Sequence, residues 1–168
     1  MDDFLEPAKA SLDRVITVLN QLQLRYTQLR PGPVGFGLAI ESENNNFIVL
    51  SVIGKPNENQ LMLTSGVLKS IKQNRLVALD ACNRRNSNNT SYNVFLHDAD
   101  IGWDIIIQCT YPVQLLVDVP PFLQAMLKGI PLQANEVRNE FTTLDDLGGT
   151  AYLWNEDDVQ RVFMRSMV

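Results

Sequence analysis

Residues 103–115, WDIIIQCTYPVQL, carry the pattern that most constrains the fold. Trp103, Ile105, Ile107, Cys109, Tyr111, Val113 and Leu115 alternate with Asp104, Gln108, Thr110 and Gln114, and only Ile106 breaks the alternation. A period of two puts the two sets on opposite faces of an extended chain. The run therefore predicts an antiparallel strand packed on one side and largely solvated on the other. Pro112 has no N–H for the ladder, so the strand lies at an edge or bulges there.

Shorter runs of the same kind precede it. In SYNVFLHD (91–98), Tyr92, Val94 and Leu96 share a face, and DADIG (98–102) makes the hairpin turn into the long strand. In VGFGLAIE (34–41), Val34, Phe36, Leu38 and Ile40 alternate with small residues. Gly35 and Gly37 leave the second face of that strand open to something that approaches closely. FIVLSVI (47–53) is apolar on both faces and reads as a central strand, while RYTQL (25–29) and QLMLTS (60–65) are weaker candidates. Tight turns join these runs, RPGP (30–33) and GKPNEN (54–59) among them. The sheet is therefore expected to be antiparallel, with about five strands.

Helical periodicity appears at both ends and in the middle. Leu5, Ala8, Leu12, Val15, Ile16, Leu19 and Leu22 recur at steps of three and four and form one stripe. Residues 70–86 predict a middle helix capped by Ser70, with Leu76, Leu79 and Cys82 on its buried side. A double proline at 120–121 opens a long helical region whose stripe runs Leu123, Leu127, Ile130, Ala134, Val137 and Phe141. The stripe asks for one helix, whereas Pro131 asks for a kink or a break. After a linker at 142–150, Asn155 caps a short helix with Glu156, Asp157 and Asp158 in its first turn and Val159, Val162 and Phe163 as its stripe. The class is thus α+β: an antiparallel sheet flanked by an N-terminal helix, a middle helix and a long C-terminal helical region. Residues 1–144 read as one domain and 145–168 as a C-terminal appendage.

Composition excludes several function classes. The 168 residues are 45% hydrophobic, enough for a core without disulfide or metal staples. A net charge of −5 argues against nucleic acid as the main partner. No apolar run approaches the roughly 20 residues that span a bilayer. The acidic start MDDFLEPAK lacks the pattern of a secretory signal, so the expected address is the cytoplasm. Cys82 and Cys109 belong to no C-x-x-C pair and read as small core side chains.

A search for chemistry returns little. His97, the sole histidine, lies beside Asp98 at a hairpin, with no motif to complete a triad. GPVGFG (32–37) runs into a strand, whereas phosphate binding needs a helix N-terminus. Two overlapping sequons, Asn88-Asn89-Thr90 and Asn89-Thr90-Ser91, lose their meaning without secretion. Lys69, Lys72, Arg75, Arg84 and Arg85 gather on or near the middle helix, opposed only by Asp80, and could face an acidic partner. In DACNRRNSNNTSYN (80–93) the asparagines suit a helix end, with Asn83 and Asn86 satisfying backbone groups and Arg84 and Arg85 pointing outward.

The order of elements resembles the YbjN-domain family of bacterial proteins. The resemblance rests on the opening helix ending in LQLRYTQ, the strands GFGLAIE and FIVLSVI, the helix RLVALDACNRRN, the hairpin SYNVFLHD…WDIIIQCTY and a long closing helix. It covers the chain to about Phe141. It implies a fold like the type III secretion chaperones and a role as regulator or chaperone-like binding protein, with no catalytic residues to carry over. The expectation is therefore a non-enzymatic module with another protein as partner, a homodimer being its simplest form, and with no cofactor, metal, nucleic acid or membrane. Arg84, Arg85, Val159, Val162 and Phe163 are the candidate partner contacts; the last three would lie in a groove of the same chain or of a neighbour. The alternative is a small-ligand protein or enzyme with a pocket near Gly35, Gly37 and His97.

Overall fold

The computed structural model describes residues 5–43, 46–88, 91–144 and 147–167. In chain order these form α1 (Leu5–Gln21), β1 (Thr27–Gln28), β2 (Gly35–Glu41), β3 (Phe47–Ile53), β4 (Gln60–Ile71) and α2 (Arg75–Asn88). There follow β5 (Asn93–Asp98), β6 (Trp103–Pro112), α3 (Val113–Asp118), α4 (Pro120–Thr142), β7 (Thr150–Ala151) and α5 (Glu156–Ser166). The class is α+β, with one antiparallel sheet ordered β1-β2-β3-β4-β6-β5. β7 pairs with Leu68 and Lys69 of β4, which brings the sheet to seven strands rather than about five.

The sheet has two covered faces. On the first, Leu38, Ile48, Leu50, Leu61, Leu63, Ile105 and Ile107 meet the stripes of α1 and α4 in the main core. All six residues of the α4 stripe are buried there. Their burial holds the helix continuous through Pro131, although a mid-helix proline costs about 3 kcal/mol. On the second face, Ala39, Phe47 and Val49 meet Tyr152 and the stripe of α5 in a separate, smaller cluster. Asn155 caps α5 as its position suggests, accepting the Asp158 N–H at 2.9 Å.

Three boundaries differ from the sequence reading. β4 runs on to Ile71, so Ser70 ends a strand and does not cap a helix. Its register against β6 shifts between Gly66 and Leu68 and again between Leu68 and Ile71. Ser70 sits at φ +56°, a left-handed conformation held by its N–H to the Asp104 carboxylate at 3.0 Å. α2 consequently starts at Arg75 and buries Ala78, Ala81 and Cys82, while Leu76 is 77% exposed. The small side chains of that stripe let α2 pack close to β5, which the larger Leu76 and Leu79 would hold off. Finally, β6 stops at Pro112, and Val113 opens α3 instead of extending the strand.

Candidate functional site

The second face of the sheet is shaped for α5. A Cβ at Gly37 would stand 2.4 Å from the Phe163 ring, and one at Gly66 would stand 2.4 Å from the ring of Tyr152. The glycines therefore act as notches for two aromatic side chains. The object that the open face of β2 awaited is the chain's own C-terminal segment. Ser51 and Ser166 share a buried hydrogen bond of 2.8 Å across the interface. Lys69 of β4 pairs with Asp158, whose other oxygen accepts the Leu153 N–H at 2.9 Å.

A buried carboxylate anchors the far side of the seat. Asp104 is 0% exposed. It accepts the Arg161 guanidinium through two bonds of 2.6 Å, and Arg165 Nε lies at 3.5 Å. Burial pushes the Asp104 carboxyl up, but the Arg161 fork and the Ser70 N–H outweigh it and hold the group below its ordinary value. Tyr152 is driven the other way, by burial and by the Asp104 charge. His97 on β5 is lowered by burial and by Arg165, and its Nε2 has no protein partner. Both thiols are pushed up to about 12 by burial, so they are poor nucleophiles.

The structure disperses the residues that the sequence grouped. Gly35 and Gly37 lie on β2 and His97 on β5, at opposite ends of the sheet. Phe163 fills the glycine face, and a Cβ at Gly35 would strike the Val52 carbonyl at 2.1 Å. The pocket expected near these three residues does not form. Val159, Val162 and Phe163 are 4%, 0% and 0% exposed against their own sheet, so they are closed to a partner in this arrangement. The basic group separates too: Lys69 faces Asp158, Arg75 reaches Asp98, Arg84 pairs with Asp80 on α2, and Arg85 bridges to Glu140 of α4 at 2.6 Å. Of the arginine pair, only Arg84 points outward.

The asparagine run is a junction. Asn86 donates to the Val94 carbonyl at 2.8 Å and accepts the Val94 N–H at 2.6 Å. Its amide occupies both backbone groups of Val94 in β5, the last strand of the sheet. Asn83 is exposed, and what it supplies is its carbonyl, which accepts from Ser87. The two sequons depend on residues 89–90, which lie outside the described residues.

The sequence reading missed Asp104, Arg161 and Arg165. Asp104 looked like one of the solvated residues of the alternating strand. The available signal was Ile106, an apolar residue on the supposedly wet face, which is 0% exposed.

An open groove runs along α4 on the first face. It encloses about 490 Å³ between Leu24, Ile40, Ile48, Leu127, Pro131 and Leu132, with Glu41, Glu43 and Lys128 among its polar lining. Leu132 is 62% exposed. Pro131 has no N–H to give the Leu127 carbonyl, and both residues line the groove. Asn135 of the lining accepts from Arg138 at 3.0 Å, and Arg138 also donates to the Val67 and Gly66 carbonyls at 2.9 and 3.1 Å, which satisfies the bulge in β4. Among the described residues no three His, Cys, Asp or Glu side chains gather as metal ligands, and no helix is long and apolar enough to cross a membrane.

The fold resembles that of YbjN. The crystal structure of that protein, described as "a putative transcription regulator from E. coli", superposes with a TM-score of 0.51 at 14% sequence identity. The match covers 74% of this chain and 91% of the YbjN chain. At that identity the likeness is one of fold. No family model matches the sequence, and no curated protein matches it.

Proposed function

We propose that the chain is a non-enzymatic protein-binding module of regulatory or chaperone-like kind, acting in the cytoplasm without a cofactor. The observation that carries this reading is the α4 groove: an apolar cleft of about 490 Å³, open to solvent and lipped by the exposed Leu132. An exposed apolar cleft with a polar rim is the usual mark of a protein contact. The YbjN-like fold is compatible with a regulatory role. The buried charges support the same reading, because Asp104 and Arg161 spend theirs on each other. A second copy of the chain is the simplest occupant of the groove.

Leu132→Glu tests the proposal, since an exposed position tolerates the charge without unfolding. The full chain and the variant are cross-linked in the native cell and sedimented after purification. A stoichiometric protein partner or a dimer that the wild type holds and the variant loses supports the groove. Identical profiles for both, with the wild type monomeric and alone, would overturn it.

A further inference from the structure

Helix α5 is held differently from the helices of the main core. Five buried side-chain polar atoms have no protein hydrogen-bond partner among the described residues. Four of them lie on the second face or on the segment that covers it: Thr64 Oγ1 and His97 Nε2 are unpaired, while Tyr152 OH and Arg165 Nε lie toward the Asp104 carboxylate, the latter at 3.5 Å, without a well-formed hydrogen bond. The same layer contains the buried ions Asp104 and Asp158. Its apolar cluster is small, and β7, two residues long, is its one strand pairing to the rest of the sheet. Open grooves of about 390 Å³ flank α5 on both sides, one beside β1 and Trp154 and the other beside Asp100. A layer whose apolar cluster is smaller than the main core, with two unpaired polar atoms and open flanks, opens at a lower free energy than the global transition.

The seat under α5 is specific in what it accepts. Gly37 takes an aromatic ring, and Asp104 has to meet a cation wherever a helix shuts it away from water. α5 answers with Val159, Arg161, Val162, Phe163 and Arg165, a pattern of apolar–x–Arg–apolar–aromatic–x–Arg.

We propose that α5 is a displaceable cover, and that the sheet face beneath it seats an amphipathic helix of another protein that brings an arginine to Asp104 and an aromatic ring to Gly37. This inference rests on the protein-binding reading and assigns it a second, gated surface. Binding at that surface competes with the chain's own helix, so affinity is set by the opening equilibrium as well as by contacts.

Two measurements on the full chain test it. Hydrogen exchange of the wild type is expected to show α5 amides opening at least about 100-fold more often than those of β6. A labelled peptide of residues 153–167 is then titrated into Phe163→Ala, with Arg161→Gln as a milder second variant. The peptide is expected to bind a folded variant at least about tenfold more tightly than the wild type. A peptide carrying Arg161→Glu and Arg165→Glu is expected not to bind. Exchange of α5 only by global unfolding, loss of the whole fold in both variants, or equal binding of the charge-reversed peptide would overturn the proposal. A wild type that dimerises on opening, with each α5 seated on the other copy, would overturn the separate partner. None of these failures touches the α4 groove, which Leu132→Glu tests independently.

Discussion

The first face of the sheet meets α1 and α4 almost entirely through apolar side chains, whereas the second meets α5 through a few aromatic rings and a set of buried ions. Apolar packing is strong but undirected. Buried ion pairs contribute less net stability, because desolvation offsets their attraction, yet they fix which side chain stands where. The main core thus supplies the energy of the fold, and the α5 layer supplies an address for one helix. A variant on each face should therefore fail in a different way.

The largest effects come from truncating one residue in each layer. Leu63→Ala, in the fully buried first layer, is expected to cost about 3 kcal/mol and to shift the urea midpoint without changing the slope. Phe163→Ala also removes a fully buried side chain, worth about 3–4 kcal/mol to the packing of α5. Because it loosens one layer, the expected outcome is an early transition of small slope before the main one. A single transition of unchanged slope would erase the distinction between the faces.

Gly37→Ala sharpens the same comparison. The new methyl would stand 2.4 Å from the Phe163 ring, and such overpacking costs about 1–3 kcal/mol. Combining it with Phe163→Leu should recover part of that loss, and denaturation of the four chains gives the coupling directly. Additive costs would mean that the ring does not fill the notch.

The pH response should be weaker and confined to the second face. His97 is held below its ordinary 6.5 by burial and by Arg165, so the unfolded chain binds its proton first and stability falls as pH drops below 6.5. The Asp104 carboxyl, lowered mainly by Arg161 against the opposing effect of burial, contributes stability that is present above its ordinary 3.8 and lost as pH falls further. Thermal melts between neutrality and pH 3 should show both losses, and Asp104→Asn should abolish the second. The smallest effect is a gain. Gly129 lies inside α4, and a Cβ there would meet nothing within 4 Å. Gly129→Ala should stabilise the chain by about 0.5–1 kcal/mol in urea unfolding.

The sequence spoke clearly wherever one periodicity governed a segment. The α4 stripe from Leu123 to Phe141, the α5 cap at Asn155 and the β5–β6 hairpin all follow the pattern that predicts them. It misled where two demands shared one segment. Ser70 looks like a helix cap, but it falls in the irregular end of β4, where the Asp104 carboxylate claims its N–H first. Leu76 looks like core, yet close packing on β5 selects Ala78 and Ala81. The α5 seat was half legible: Gly37 announced a close neighbour and Ile106 an apolar one, but neither says which segment arrives. That Asp104 meets Arg161, 57 positions later, is a fact of topology that no local pattern encodes.

The Asn86 amide has a consequence beyond its helix. A side-chain amide carries the same donor and acceptor as a peptide group, and here it takes both outward positions of Val94. The row of ladder bonds thus ends on a dead-end unit that has no chain on either side to pass the pattern along. A strand from a neighbouring molecule would have to evict that amide before it could pair at Val94. In crowded solution a single side chain thus denies an incoming strand its pairing position at Val94.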